Sequence, residues 1–299
     1  MSRILLLGAN GQVGHELRRS LCNLGEVILT TRSGVVENGI SCEVADFDKP
    51  ESLEGLVARI SPDVIVNAAA YTAVDRAEDD VAAAFRANAE APGQLARACA
   101  ARDALLVHYS TDYVFDGQST RPYRPDDATS PLGTYGASKL AGEVAIRESG
   151  CRHMIFRTAW VYGNHGNNFM RTMLRVGAER EQLRVVADQF GTPTSAQLIA
   201  DVTGQVIESG SLRSGTWHLT AVGETSWHAF AQEIFDQAFA LGLLARMPEV
   251  TAISTSEYPT RARRPAYSCL DTSTLREDFG LSLPDWRQAL ARVLDSATL

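Results

Sequence analysis

A tyrosine and a lysine, Tyr135 and Lys139, stand four residues apart in the stretch TYGASKLAGE. Four residues advance an α-helix by about 6 Å and return to nearly the same face, so a helix here would bring the two side chains together. The pKa of a free tyrosine is about 10, and a lysine cation nearby favours the phenolate. Tyr135 could then donate a proton to a carbonyl oxygen as a hydride reaches its carbon, while Lys139 binds a cofactor ribose. Taken alone the spacing is common by chance, and two solvated side chains that never meet are the alternative.

A second set of reactive side chains, Ser110, Thr111 and Asp112, closes and follows the apolar run ALLVHYS. At the carboxyl edge of a parallel sheet such groups face the ligand crevice. Thr111 is therefore predicted to polarise a substrate carbonyl or to position it for Tyr135. A helix cap or a turn is the structural alternative for the same residues.

The segment GANGQVG places Gly8, Gly11 and Gly14 directly after the first predicted strand and at the opening of a helix. Glycines permit the tight turn and the close backbone approach, and the helix N-terminus offers unpaired N–H groups to a pyrophosphate. This context predicts a dinucleotide-binding cradle. A glycine-rich turn without a ligand is the alternative.

The end of the second predicted strand, LTTRS, bears on which dinucleotide binds. An acidic residue there grips the ribose diol of NAD, whereas an arginine accommodates the 2′-phosphate of NADP. Thr31 stands at the position of the acid, and Arg32 follows it. We therefore predict NADPH, with Arg32 as the phosphate contact and NADH as the alternative cofactor. A solvated turn is the other interpretation of Arg32.

Two more groups of residues are predicted to line the cofactor. Asp46 and Phe47 follow the third predicted strand and are expected beside the adenine. Ala68, Ala69 and Ala70 end the fourth predicted strand, where small side chains let a cofactor pass close to the backbone.

The elements that must position these residues alternate along the first half of the chain. Short apolar runs bounded by turn formers predict buried strands at 3–8, 26–31, 40–45, 63–69, 104–110 and 153–158. Segments of helical length lie between most of them, at 11–24, 50–60, 78–102 and 134–149. Pro92 predicts a kink or two helices in the third segment. The alternation predicts an α/β fold, a Rossmann-type doubly wound parallel sheet covered on both faces.

The alternation loosens beyond about residue 160, where helices are predicted at 166–181, 195–210 and 226–241 and a strand at 182–188. We predict an NAD(P)-binding Rossmann domain over residues 1–160, completed by a return near 183–215. Residues 161–299 are expected to form mainly a smaller C-terminal substrate-binding domain.

Composition excludes several classes of function. The 299 residues carry a net charge of −8, which argues against a protein that coats nucleic acid or anionic membrane. No segment approaches the roughly 20 apolar residues that span a bilayer. The five cysteines show neither a Cys-x-x-Cys pair nor zinc spacing, so free thiols in a reducing cytoplasm are expected.

In these motifs the chain resembles the dTDP-4-dehydrorhamnose reductases, a family of the extended short-chain dehydrogenase/reductase group. The matching strings run from ILLLGANGQVG through PDVIVNAAAYTAVDRAE, HYSTDYVFDG, DATSPLGTYGASKLAGE, FRTAWVYG, GNNF and DQFGTPT to YPTRARRP. The resemblance implies reduction of the C4 ketone of dTDP-4-dehydro-L-rhamnose by NADPH or NADH. The product would be dTDP-L-rhamnose, a precursor of cell-surface polysaccharide.

The resemblance also implies roles for individual residues. It implies cofactor contacts from Gly11, Gln12, Val13, Ala68, Ala69, Ala70 and Tyr109, substrate contacts from Thr111, Asp112, Trp160 and Arg264, and a proton donor and its partner in Tyr135 and Lys139. From the residues alone, Trp160 is equally consistent with a core aromatic. Arg261, Arg263 and Arg264 are candidates for the pyrophosphate of a sugar nucleotide, because arginine suits phosphate recognition. A basic surface loop is the alternative for each.

Members of this family include dimers bridged by magnesium through glutamates. Glu16 is acidic here, but Gln197 stands where a second acid would help to hold the ion. We therefore leave metal out of the predicted site and keep a homodimer as an expectation.

Two other functions compete with the reductase. One is a non-catalytic nucleotide-binding subunit that resembles the regulatory β subunit of methionine adenosyltransferase. The other is a related nucleotide-sugar epimerase or dehydratase, which returns the hydride to the same sugar. The presence of Thr111, Tyr135 and Lys139 together favours a reductase over the first. A dehydratase would carry an Asp-Glu pair in place of Thr111-Asp112, so this pair favours a reductase over an epimerase or dehydratase.

Overall fold

A seven-stranded, all-parallel sheet lies at the centre of the computed structural model, which describes residues 2–211 and 213–297. The strands are β1 (Ser2–Leu7), β2 (Gly25–Thr31), β3 (Glu43–Val44), β4 (Val64–Asn67), β5 (Leu105–Thr111), β6 (Arg152–Thr158), β7 (Val161–Tyr162), β8 (Gln182–Val186), β9 (Phe190–Gly191), β10 (Thr194–Ser195), β11 (Gly215–His218), β12 (Thr225–Ser226) and β13 (Glu249–Ile253). The central sheet has the order β3-β2-β1-β4-β5-β6-β11. The order reverses between β1 and β4, and a crevice at such a switch point is where ligands bind.

The α-helices are α1 (Gln12–Ser20), α2 (Ser52–Ile60), α3 (Val74–Ala77), α4 (Val81–Phe85), α5 (Ala91–Ala100), α6 (Thr134–Glu148), α7 (Phe169–Glu179), α8 (Ala196–Glu208), α9 (Trp227–Ala240), α10 (Ser273–Phe279) and α11 (Trp286–Asp295). Short 3-10 helices cover Glu37–Gly39, Asp112–Val114 and Thr255–Glu257. Within the described residues, no helix is both long and apolar enough to cross a bilayer.

Both faces of the sheet are buried, as the alternation along β1 shows. Ile4 and Leu6 belong to the apolar core that includes residues of α1 and α8. Leu5 and Leu7 point the opposite way, into the core that includes residues of α2, α5 and α6. Successive side chains of a strand face opposite sides, so a strand buried on both faces is apolar throughout. The predicted doubly wound α/β fold is confirmed.

The predicted elements differ from the structure mainly at two places. The strand expected at 40–45 shrinks to Glu43–Val44 at the edge of the sheet, where only β2 supplies hydrogen-bond partners. The helix expected at 78–102 is broken, as predicted from Pro92, into α4, a π-helical turn at Arg86–Glu90 and α5. Pro92 has no N–H to donate to the carbonyl of Asn88, which weakens regular α-helix at this point.

The part of the chain after residue 160 contributes both to the central sheet and to a separate region outside it. β11 pairs with β6 in the central sheet, and α8 packs on α1. β8, in contrast, pairs with β13 outside that sheet. A third apolar core, around Tyr162, Phe230 and Trp286, joins α7, α9 and α11. The division of the chain into domains at residue 160 stays a prediction.

A buried ion pair ties α6 to the sheet. The Glu143 carboxylate is fully buried and accepts hydrogen bonds from Arg157 Nε (2.9 Å) and Nη2 (2.7 Å) and from Ser110 Oγ (2.5 Å). Burial alone would raise the pKa of Glu143, but the hydrogen bonds from Arg157 hold it below its usual value. Arg157 also donates to the carbonyl of Pro125 (3.0 Å) in the long loop that precedes α6. One ion pair thus joins α6, β5, β6 and this loop.

We expect Glu143→Gln to lower the free energy of unfolding by about 3 to 5 kcal/mol, because Arg157 would keep its charge in a buried site without a counter-ion. The measurement is urea unfolding followed by far-UV circular dichroism. As a control, Glu43→Gln removes the exposed partner of Arg59 and should change the free energy of unfolding by less than about 1 kcal/mol. Equal, small effects of both variants would contradict the structural role of the buried pair.

Candidate functional site

A cavity of about 710 Å³ opens at the carboxyl ends of the central strands, on the side of the sheet where the order reverses. Its walls bring together most of the residues predicted for the cofactor. These are Gly8, Gly11, Gln12, Val13, Arg32, Phe47, Ala68, Ala69, Ala70, Tyr109, Tyr135 and Lys139. Residues that follow β1, β2 and β4 therefore share one cavity with residues of β5 and α6, although they are distant in the sequence.

The glycines after β1 leave a cradle that side chains would fill. Gly8 has a φ of +80°, and a Cβ there would lie 2.8 Å from the backbone nitrogen of Ala69. A Cβ on Gly14 would lie 2.0 Å from the carbonyl oxygen of Gly8, so Gly14 lets α1 approach the turn. Gly11 precedes α1 and has no side chain with which to cap its first N–H groups. These groups are free to bind an anion such as a pyrophosphate.

Tyr135 and Lys139 lie in the first turns of α6, as the spacing predicts, and both face the cavity. Lys139 is 2% exposed, and its ammonium donates a hydrogen bond to the carbonyl of Tyr109 at 2.6 Å. Burial lowers the pKa of Lys139 to about 8, against the opposing effect of Glu143 one turn further along the helix. Near neutral pH the side chain thus keeps its proton but holds it less firmly than an exposed lysine.

The expectation that Lys139 lowers the pKa of Tyr135 is wrong. Burial and the neighbouring Asp112 raise the pKa of Tyr135 to about 12, against the opposing effect of a hydrogen bond with the Thr111 hydroxyl. Lys139 is engaged by the Tyr109 carbonyl instead. The phenol is consequently protonated at neutral pH, which is the form that a proton donor needs.

Thr111 and Asp112 are buried at the end of β5, next to the lining residue Ser110. The Thr111 hydroxyl donates to Asp112 Oδ1 (2.9 Å) and accepts from the backbone N–H of Tyr113 (3.2 Å). Thr111 therefore caps the 3-10 helix that follows, as the structural alternative predicts, and its contact with the substrate stays a prediction. Burial raises the pKa of Asp112 to about 6. Asp112 Oδ2 has no hydrogen-bond partner within the part of the chain that the structure describes.

The predicted adenine neighbours are only partly in place. Phe47 and Asp48 line the cavity. The Asp46 carboxylate accepts a hydrogen bond from the backbone N–H of Asp48 (3.1 Å) and so forms the turn, and its contact with the adenine stays a prediction. The Arg32 side chain is 73% exposed, with Nη2 at 3.6 Å from Asp48 Oδ2. Such a weakly held guanidinium can reorient toward a ligand.

Asn88 is a buried residue of the site that sequence reasoning missed. Its Oδ1 accepts from the backbone N–H of Tyr71 (2.8 Å), and its Nδ2 donates to the Tyr71 carbonyl (3.0 Å) and to Ser138 Oγ (3.0 Å). Tyr71 lines the cavity, and Ser138 lies between Tyr135 and Lys139. Asn88 therefore holds the cofactor side of the cavity against α6. The sequence shows only that Asn88 stands four residues before Pro92, which has no N–H to donate to the Asn88 carbonyl.

A second cavity, of about 330 Å³, lies among β8, α7 and the segment around Tyr258 and Arg264. Arg264 forms a two-pronged ion pair with Asp75, from Nη1 to Oδ1 (3.1 Å) and from Nη2 to Oδ2 (2.6 Å). Arg261 pairs with Asp79. In the sequence, Asp75 and Asp79 come shortly after the residues following β4 that line the first cavity. The two ion pairs therefore connect a wall of the first cavity with a wall of the second.

Trp160 connects the same two regions. Its φ is +48°, a left-handed conformation that is uncommon for a bulky residue. The indole stacks on Trp227, which lines the second cavity, with ring centroids 3.5 Å apart and an interplanar angle of 6°. A Cβ on Gly191 would lie 2.5 Å from the Trp160 ring, so a glycine is needed beneath it. Backbone strain of this kind often marks a functional site.

Comparison with known proteins gives a consistent result. A family model described as the RmlD substrate binding domain matches residues 1–299. The dTDP-4-dehydrorhamnose reductase of Burkholderia thailandensis is 48% identical over 297 residues, which cover 96% of both proteins. That of Escherichia coli K12 is 44% identical over 295 residues, covering 98% of this chain and 97% of the relative.

Solved structures of similar proteins agree. The dTDP-4-dehydrorhamnose reductase of Bacillus anthracis in complex with NADP is 34% identical, with a TM-score of 0.89 over 99% of each chain. A dTDP-4-dehydrorhamnose reductase from Clostridium acetobutylicum is 37% identical, with a TM-score of 0.88 over 98% of each chain.

Proposed function

Because the chain belongs to the family of dTDP-4-dehydrorhamnose reductases, we propose that it reduces the C4 ketone of dTDP-4-dehydro-L-rhamnose to dTDP-L-rhamnose with NADPH. The observation that carries this proposal is the single cavity in which a glycine cradle, Tyr135 and Lys139 meet. A nucleotide cofactor and a proton donor are the two components that ketone reduction requires.

The residues of the cavity fit a dinucleotide. The cradle at Gly8 and Gly14 is closed to any side chain, and the uncapped N-terminus of α1 opens toward it, which suits a pyrophosphate. The cofactor, when bound, supplies the hydride for the ketone carbon. We assign Arg32 to the 2′-phosphate, which agrees with the NADP held by the Bacillus anthracis relative.

The chain's own residues supply the proton and its control. Tyr135, protonated at neutral pH, donates its hydroxyl proton to the oxygen that becomes an alkoxide. Lys139 lies one turn along α6 from Tyr135, and its ammonium is assigned to the ribose of the cofactor. Thr111 is assigned to positioning the substrate for Tyr135, because its hydroxyl proton is already donated to Asp112 at 2.9 Å. These roles are assignments of the proposal.

The second cavity is proposed to hold the sugar nucleotide. Arg264 lies on its wall and is the proposed pyrophosphate contact, and Asp75 holds the guanidinium in a defined orientation. Trp160, stacked on Trp227, is the proposed contact on the sugar side. A homodimer and a cytoplasmic location are also proposed, the second because the five cysteines are free thiols.

The alternatives stated from the sequence are not favoured. A regulatory subunit has no need of a proton donor, yet Tyr135 and Lys139 line the cavity together. An epimerase or dehydratase differs in returning the hydride to the same sugar. The relatives at 44% to 48% identity are named as reductases.

Tyr135→Phe is expected to lower kcat by about 100-fold or more, because it removes the proton donor. The measurement is NADPH oxidation followed at 340 nm with the dTDP-4-keto sugar, alongside the dissociation constant for NADPH, which should change little. Tyr162→Phe is the matched control, since its buried hydroxyl has no partner in the described residues and belongs to the third apolar core. An unchanged kcat in Tyr135→Phe would remove Tyr135 from the mechanism.

Arg32→Ala is expected to weaken NADPH by about 10- to 100-fold and NADH much less, the range of one charge-assisted hydrogen bond. Both dissociation constants can be measured by fluorescence titration. Arg76→Ala is the control, because Arg76 is an equally exposed arginine on the same cavity, held near Asp80 at 3.8 Å. Equal losses for the two cofactors in Arg32→Ala, or discrimination by Arg76→Ala instead, would show that Arg32 does not bind the 2′-phosphate.

A further inference from the structure

Three side chains of metal-ligand type meet beside α1, outside the two cavities described above. His15 comes from α1, Glu37 from the 3-10 helix that follows β2, and His165 from the loop between β7 and α7. One ligand atom of each lies within 4.8 Å of the others. His15 Nδ1 is 3.0 Å from Glu37 Oε2, and the two imidazole rings are stacked with centroids 3.4 Å apart.

We propose that His15, Glu37 and His165 bind one divalent transition-metal ion of the zinc class, and that this ion fastens the loop 163–168 to the cofactor cradle. The proposal is independent of the reaction assigned to the chain. Glu16 and Gln197, the positions at which the family resemblance suggested a metal, are not among these ligands.

The ligand set decides the class of ion. Two imidazole nitrogens and one carboxylate oxygen are ligands that Zn²⁺, Co²⁺ and Ni²⁺ accept, with bonds of about 2.0 to 2.2 Å for zinc. Two such ligand atoms in a tetrahedral site are about 3.3 Å apart. The pair of His15 and Glu37 is already close to that spacing. Magnesium and calcium prefer sites made of oxygen, so they fit these residues poorly.

Small movements would complete the site. The stacked imidazoles, inclined at 29°, must slide and rotate so that one nitrogen of each points to the ion. Arg18 Nη1 lies 3.6 Å from Glu37 Oε2 and competes for the carboxylate. His15 Nδ1 contacts a single oxygen of this carboxylate, and removing the nearby arginine charge should therefore favour the ion.

Because His165 lies in a loop beside the cofactor cavity, an ion bound to it would affect that loop. The next two residues, Gly166 and Asn167, line the cofactor cavity. Asn168 Nδ2 donates to Gln12 Oε1 at 2.9 Å, which holds the loop on the cradle from one side. An ion between His15 and His165 would hold it from the other side, because His15 lies one turn along α1 from Gln12. Binding energies at such coupled sites are reciprocal.

The test uses the full chain without an affinity tag, freed of metal with a chelator and then titrated with Co²⁺ and Zn²⁺. We expect one Co²⁺ per chain, with the visible absorption of a tetrahedral site, and displacement of that signal by Zn²⁺. His15→Ala and His165→Ala should each weaken Zn²⁺ binding by at least about tenfold. His228→Ala, whose ring contacts the Val250 carbonyl far from this cluster in sequence, should leave it unchanged.

Arg18→Gln keeps all three ligands and should tighten Zn²⁺ binding, so it tests the site even if a histidine variant fails to fold. The dissociation constant for NADPH should be lower with Zn²⁺ bound than without it, and Arg18→Gln should keep this difference. The proposal is overturned if the wild-type chain binds neither Co²⁺ nor Zn²⁺, or if neither histidine variant alters binding. An NADPH dissociation constant that is the same with and without Zn²⁺ overturns the fastening of the loop. All these readouts are binding measurements, so loss of the proposed reductase activity cannot produce them.

Discussion

A buried ammonium group organises the centre of this protein. Lys139 is 2% exposed, and the cost of removing its charge from water is offset by a 2.6 Å hydrogen bond to the Tyr109 carbonyl and by the Glu143 carboxylate one turn away. The three residues belong to β5 and α6, so the same contacts that satisfy the lysine fix the helix on the sheet. Tyr135, four residues earlier, is thereby placed at the cavity wall.

The close packing of α6 against its neighbours depends on a proline, a glycine and an asparagine at the contact. Pro92 leaves the Asn88 carbonyl without a helical donor, and Gly142 fits directly against that oxygen, where a Cβ would lie only 2.0 Å away. The Asn88 side chain then joins Tyr71 to Ser138. A proline, a glycine and an asparagine together let two helices and a cofactor-lining loop pack closely. The cofactor wall and the proton-donor helix are consequently packed directly against each other.

Much of this arrangement follows from local sequence signals. Apolar runs identified the strands, since a strand buried on both faces must be apolar throughout, and the glycine spacing identified the cradle. The four-residue spacing placed Tyr135 and Lys139 on one helix face. What local signals could not supply are contacts between distant parts of the chain. The pairing of Arg264 with Asp75, the clamp at Asn88 and the effect of Asp112 on the pKa of Tyr135 all depend on tertiary packing.

The central claim is that Tyr135 and Lys139 act together beside a bound nicotinamide. A crystal structure of the complex with NADPH tests it most directly. We expect the Lys139 ammonium within about 3 Å of a hydroxyl of the nicotinamide ribose, and the Tyr135 hydroxyl on the side of the nicotinamide ring where the ketone must bind. A complex in which NADPH occupies the glycine cradle while the Tyr135 hydroxyl points away from the nicotinamide would contradict the account.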